Sequence, residues 1–130
     1  MKPLRKPSGW TFFRQWLKSP LRTAAVAPSS AELAAAMVAE LPDEVRRVIV
    51  LGGGTGAITD ALLGAGIRDE DLLVLELNEE LHAHLHVRYP KVRVVLGDAR
   101  SLAQLARDSG YLDEGQADAI VSGLGLLSMP

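Results

Sequence analysis

The segment RVIVL, residues 47–51, runs without a polar break into Gly52-Gly53-Gly54-Thr55-Gly56, and AITDALLGAG follows. An uninterrupted β-branched run reads as a strand buried on both faces, and the segment after the glycines reads as a helix. Glycines at such a junction have a chemical use. Lacking Cβ atoms, Gly52, Gly54 and Gly56 let backbone amides close on a ligand and face it at a helix N-terminus. Glu76 ends a second apolar run, LLVLE, 20 residues beyond Gly56. A carboxylate there is placed to accept both hydroxyls of a ribose, and the gap is that of a nucleoside-binding βαβ unit. A third run, VRVVL, leads into Gly97-Asp98, where the carboxylate of Asp98 and nearby amides suit an adenine edge. The fourth, DAIVS, ends on Ser122 and continues into Gly123 and Leu124, where chemistry on a second substrate belongs.

Other chemistries are excluded or disfavoured. The glycine turn lacks GK[ST], so it is not a phosphate-cradling P-loop. The third glycine of a G-x-G-x-x-G pattern falls on Ala57, so a dinucleotide site rests on the acid spacing alone. His82 and His86 share a helix face at i, i+4, but no H-E-x-x-H pattern accompanies them; we read a solvated face and expect no metal. Asp69-Glu70-Asp71 reads as a solvated loop, and no Ser/His/Asp hydrolase elbow is present. With no cysteine there is no disulfide scaffold, iron–sulfur site, thiol nucleophile or cysteine-ligated zinc.

The elements that must position these residues follow from the pattern. A chain of 130 residues, 48% hydrophobic and 23% charged, has the balance of one soluble domain. AELAAAMVAEL, residues 31–41, is a helix with Ser29 or Ser30 as its cap and a stop at Pro42-Asp43. The order is then α followed by β-α-β-α-β-α-β, which means a parallel sheet with its ligand at the carboxyl ends of the strands. No apolar run is long enough to span a membrane and no secretory signal is evident, so a cytoplasmic location is expected.

Residues 1–30 read as a separate arm, with the ligand-binding domain over 31–130. Residues 1–22 carry six basic residues and no acid, leaving eight basic and sixteen acidic residues to the remainder. Trp10, Phe13 and Trp16 recur at helical spacing with Arg14 and Lys18 between them. A short basic helix with an aromatic face suits an anionic membrane surface, where rings sit at headgroup depth and cations meet the lipid. The alternative is that the aromatics pack onto the domain as a lid.

These segments resemble a known group. VIVLGGGTGAITDALL is similar to motif I of the class I S-adenosylmethionine-dependent methyltransferases, and VLELNEEL to their acidic second motif. FFRQWLKSPLRTAAVAPSSAELAAAM, VVLGDA and DAIVSGLGLLSMP resemble bacterial phospholipid N-methyltransferases, relatives of the ribosomal RNA adenine dimethyltransferases. The resemblance runs from about residue 10 to residue 130. It implies a Rossmann-like α/β fold, a three-layer αβα sandwich with a mostly parallel sheet, of which only the first four strands are present. Residues 31–130 are then the N-terminal half of the cofactor-binding domain.

The implied activity is methyl transfer from S-adenosylmethionine to the amine of phosphatidylethanolamine, toward phosphatidylcholine, at the membrane surface. In that scheme Gly52, Gly54 and Gly56 line the cofactor's methionine and ribose, Glu76 holds the ribose hydroxyls, and Asp98 holds the adenine amine. Ser122, Gly123 and Leu124 border the site of transfer. The implied partners are a phospholipid substrate and the anionic inner membrane, with the protein peripheral on its cytoplasmic side. Val50, Gly53 and Gly125 depart from the family pattern, which has an acid, a proline and a proline there. Val50 removes charge near the cofactor's amino group, and Gly53 is expected to loosen the turn. An uncovered fourth strand invites self-association.

Two alternatives stay open. An RNA adenine dimethyltransferase would use the arm for phosphate binding, but Ser122-Gly123-Leu124-Gly125 lacks the stacking aromatic of that family, so nucleic acid is the weaker partner. A non-catalytic, membrane-associating module that still binds the cofactor is the other.

Overall fold

The computed structural model describes residues 30–123. Helix α1, Ser30–Ala39, is built from good helix formers and opens the described region. Strand β1, Val48–Leu51, passes through the glycine turn into α2, Ala57–Gly64. Strand β2 spans Leu72–Glu76, and α3, Glu79–Arg88, follows it. Strand β3, Arg93–Leu96, leads through a short 3-10 turn to α4, Leu102–Asp108, and β4 is Ala119–Ser122. Helix α1 ends before Pro42, its exit tightened by bonds from Glu40 N to Met37 O and Leu41 N to Val38 O. A proline disfavours helical geometry in the residue before it, which accounts for the early stop.

The sheet is wholly parallel in the order β3-β2-β1-β4. Val48 and Val50 pair with Leu72 and Val74, and Val50 also pairs with Val121 on its other side. These residues form one apolar cluster with Ala34 of α1, Ile58 and Leu62 of α2, and Leu85 of α3. Ile49 and Leu73 point the other way, onto Ala106 of α4 and Tyr111. Three layers result, and β2 is buried along its whole length. The α/β, three-layer architecture expected from the sequence is therefore present. On the second face Ile120 of β4, beside Ile49, is 54% exposed.

The amino-terminal ends of the strands carry a buried polar cluster. Asp71, expected to be solvated, is buried: it accepts a 2.9 Å bond from Arg68 Nε and lies 3.6 Å from Arg47 Nε. Arg47 stacks over the Tyr111 ring at 3.9 Å and donates to the Tyr111 carbonyl at 2.8 Å and to that of Gly115. The Tyr111 hydroxyl in turn donates to the Asp71 carbonyl at 2.8 Å. The Asp118 carboxylate accepts from the Arg46 and Arg47 amides at 3.0 and 2.9 Å, and those bonds hold its pKa below the usual carboxylate value.

Candidate functional site

At the carboxyl ends, β1 hands its chain to a turn pinned on β2. The amides of Gly52 and Gly53 both donate to the Leu75 carbonyl, at 2.8 and 3.1 Å. Gly52, Gly54 and Gly56 have φ of 73°, 56° and 105°, left-handed values that an L side chain rarely adopts. The Gly54 amide then donates to Oε1 of Glu76 at 2.8 Å, while Oε2 of Glu76 accepts from Asn78 N at 2.9 Å. Glu76 is only 6% exposed. The predicted acid and the predicted glycines thus meet directly. Each carboxylate oxygen still has a second lone pair, so the group retains acceptor capacity for a ligand.

The ends of β3 and β4 converge on the same place. Gly97 N donates to the Glu76 carbonyl at 3.0 Å, and Gly123 N to that of Leu51 at 2.7 Å. A Cβ on Gly123 would lie 2.5 Å from the Gly52 carbonyl oxygen, so the β1 and β4 loops touch through bare backbone. Gly52, Gly53, Gly54, Thr55, Ala57, Ile58, Gly123 and Ser30 line a small recess there. A nucleoside-bearing ligand fits such a cradle, with glycine backbone on two sides and the first turn of α2 on a third.

Asp98 has a different immediate role. Its carboxylate accepts from the Arg100 amide at 2.8 Å and from the Arg100 guanidinium at 3.0 and 2.8 Å. Those bonds lower its pKa, and it caps the 3-10 turn before α4. Ser122 ends β4, whereas Leu124 and Gly125 lie outside the described residues, as do Trp10, Phe13, Arg14, Trp16 and Lys18 of the arm.

Two of the expected departures from the family pattern fall on described residues. Val50 is fully buried in the apolar cluster, so no charge occupies that position. Gly53 does not loosen the turn. A Cβ on it would fall 2.6 Å from Val74 Cγ1 and 2.7 Å from Leu85 Cδ1, so it is packed tightly against β2 and α3. A proline would also delete its bond to Leu75. The histidine face is only partly solvated: the His82 ring stacks on His86 with centroids 6.1 Å apart, and its Nε2 donates to the Val94 carbonyl at 3.1 Å. Among the described residues no group of three or more His, Asp or Glu could hold a metal ion.

Three residues went unnoticed in the sequence. The Tyr89 hydroxyl, at the end of α3, reaches the Gly56 carbonyl at 3.1 Å and is hydrogen-bonded to the Asp60 carboxylate. Arg88 pairs with Asp60 at 2.6 Å and donates to the Thr55 carbonyl at 3.1 Å. Burial, with Asp60 reinforcing it, raises the Tyr89 pKa well above its ordinary value. Asp60 in the first turn of α2 was a visible signal; its partners 28 and 29 residues later were not.

No protein-family model matches the chain. An ornithine lipid N-methyltransferase from Singulisphaera acidiphila is 36% identical over 123 residues, an alignment covering 92% of this chain and 62% of the relative. The chain thus spans less than two thirds of the curated relative it matches. Among solved structures, a TehB-like SAM-dependent methyltransferase from Corynebacterium glutamicum superposes with a TM-score of 0.52 at 24% identity, over 91% of this chain and 55% of that one. Streptomyces venezuelae DesVI matches 55% of this chain and 28% of its own, with a TM-score of 0.42 and 24% identity. The fold is the Rossmann-like one of the C. glutamicum protein.

Proposed function

We propose that this chain is the cofactor-binding portion of an S-adenosylmethionine-dependent N-methyltransferase whose substrate is the amine of a membrane-lipid headgroup. The observation that carries the reading is the junction of Glu76 with the Gly52–Gly56 turn, in a chain 36% identical to an ornithine lipid N-methyltransferase. The glycine backbone and the α2 N-terminus receive the cofactor's methionine and ribose, and Glu76 accepts from the ribose hydroxyls. Asp98, with its neighbouring amides, takes the adenine amine. Ser122, Gly123 and Leu124 border the acceptor. When bound, the cofactor supplies an electrophilic methyl group on a sulfonium, so the protein's task is to align the amine and exclude competitors.

Phosphatidylethanolamine and an ornithine lipid both present a primary amine beside an anionic group, and phosphatidylethanolamine is the substrate we put first. The basic aromatic arm then brings the protein onto the cytoplasmic face of the anionic inner membrane. Among the described residues no helix is long and apolar enough to cross a membrane. Self-association through β4 belongs to the same reading and draws support from exposed Ile120.

The test is transfer of radiolabelled methyl to vesicles holding phosphatidylethanolamine or an ornithine lipid, with calorimetric titration of S-adenosylhomocysteine alongside. Binding without transfer would restrict the function to cofactor capture. The absence of binding at millimolar ligand would overturn the reading. Liposome co-sedimentation after Trp10→Ala and Trp16→Ala tests the arm, and unchanged sedimentation would sink its membrane role. Sedimentation velocity across concentrations tests self-association.

A further inference from the structure

We infer that Tyr89, Asp60 and Arg88 form a latch from α3 that positions the glycine turn for the cofactor, acting through the carbonyls of Thr55 and Gly56. This rests on the cofactor reading above. A peptide unit is planar, so fixing a carbonyl also fixes the amide of the next residue. The Gly56 carbonyl accepts the helical bond from Asp60 N at 2.8 Å and lies 3.1 Å from the Tyr89 hydroxyl. The one proton of that hydroxyl is shared between this carbonyl and the Asp60 carboxylate, and the two donors together orient the amide of Ala57. Ala57 is the first residue of α2 and lines the recess. Amides of a first helical turn have no acceptor within the helix, and they are the groups a ligand meets. Arg88 fixes the preceding peptide unit, at 3.1 Å from the Thr55 carbonyl, and so steadies the Gly56 amide in its 3.0 Å bond to the Gly53 carbonyl within the turn.

Asp60 makes the device cooperative. It accepts from both the Tyr89 hydroxyl and the Arg88 guanidinium, so the two donors are aligned by one carboxylate. The fit to the turn is close. A Cβ at position 56 would lie 2.5 Å from the Tyr89 oxygen, so the hydroxyl fills the space that glycine leaves. Tyr89 does not line the recess and so acts as a positioning residue, while Asp60 and Arg88 sit on the wall of the adjoining cavity that shares Ser30, Thr55 and Ala57 with it.

The test uses the full chain and the variants Tyr89→Phe, which keeps the ring, and Arg88→Gln, on a half-exposed side chain. Three quantities are read: the Kd for S-adenosylhomocysteine, the amide exchange of residues 54–58 in unliganded protein, and the melting temperature. Tyr89→Phe is expected to raise Kd roughly three- to tenfold. Arg88→Gln should raise it roughly two- to threefold. Exchange should quicken at 54–58 while the β2 amides 72–76 stay as they were. A fall in melting temperature with unchanged Kd, or with uniform quickening of exchange, would reduce the three residues to structural ones and overturn the inference. If the wild-type chain takes up no S-adenosylhomocysteine, the cofactor reading fails, and the latch is then decided by the exchange rates alone.

Discussion

The Gly54 amide donates a 2.8 Å hydrogen bond to the carboxylate of Glu76, 22 residues further along the chain. Through that bond, the acid at the end of β2 closes the turn at the end of β1. The carboxylate therefore has two duties, holding the loop in shape and presenting its remaining lone pairs to a ligand. Its other oxygen is engaged by Asn78 N, at the start of α3.

Glu76→Ala should leave the buried Gly54 amide without an acceptor, while the Asn78 amide, on an exposed residue, turns to water. The expected loss is about 1–3 kcal/mol of folding stability, together with cofactor binding. Glu76→Gln keeps one acceptor but turns an amide donor toward another donor, so its cost should fall between wild type and alanine. Urea unfolding and calorimetric titration of S-adenosylhomocysteine check both.

Gly53→Ala should destabilise by about 1–3 kcal/mol, because the new methyl group meets Val74 and Leu85 and a close-packed core yields little. Leu85→Ala alone should cost about 2–5 kcal/mol through the cavity it leaves. The double variant should lose clearly less than the sum, since each change relieves the other. Strict additivity in a double-mutant cycle would refute the contact.

Both tyrosines of the chain should resist ionisation. Burial pushes Tyr111 up to about 12 from 10.0, and burial reinforced by Asp60 raises Tyr89 further. The folded state thus favours the neutral phenols. The stability they contribute is present in full below about pH 10, the unfolded value, and is lost as pH rises toward the folded values. Tyrosinate absorbance should stay absent near pH 10 and emerge only with strongly alkaline unfolding. A titration with a midpoint near 10 in folded protein would contradict this.

At the opposite end of the sheet, Arg47→Met should cost about 3 kcal/mol or more, since it strips a buried charge partner from Asp71. It also strands the Tyr111 and Gly115 carbonyls. Arg47→Lys should recover only part of this, because an ammonium cannot reproduce the planar fork or the stacking on Tyr111. The Kd for S-adenosylhomocysteine, measured well below the melting temperature, should not change.

The parallel sheet was legible because RVIVL, LLVLE, VRVVL and DAIVS each lie between turn signals, and the central strands β1 and β2, buried on both faces, need no alternation. Gly52, Gly54, Gly56 and Glu76 were legible for a related reason. The topology sends all strand ends to one side, so residues far apart in sequence share an address. What escaped were partnerships formed by tertiary packing. Asp71 sits in an acidic run that reads as solvated, and only Arg47, 24 positions earlier, and Arg68 make its burial tolerable. Gly53 read as slack, yet its role is set by Leu85 from a different element. Tyr89 at a helix end is unremarkable until α3 lies beside the turn.

Strand β2 is held by an acid at each end. Asp71 sits just before it, fixed by Arg68 and Arg47, and Glu76 closes it, fixed by Gly54 and Asn78. Between them lies Leu72-Leu73-Val74-Leu75, four apolar residues with no in-out pattern to tell one alignment from the next. The apolar stretch alone would tolerate sliding lengthwise by a residue. The two carboxylates act as pegs at either end of a taut string, because any slip drags both from their donors. A single-residue deletion between Leu72 and Leu75 should therefore be far more damaging than any one substitution there, since it pulls a peg loose whichever way the chain settles.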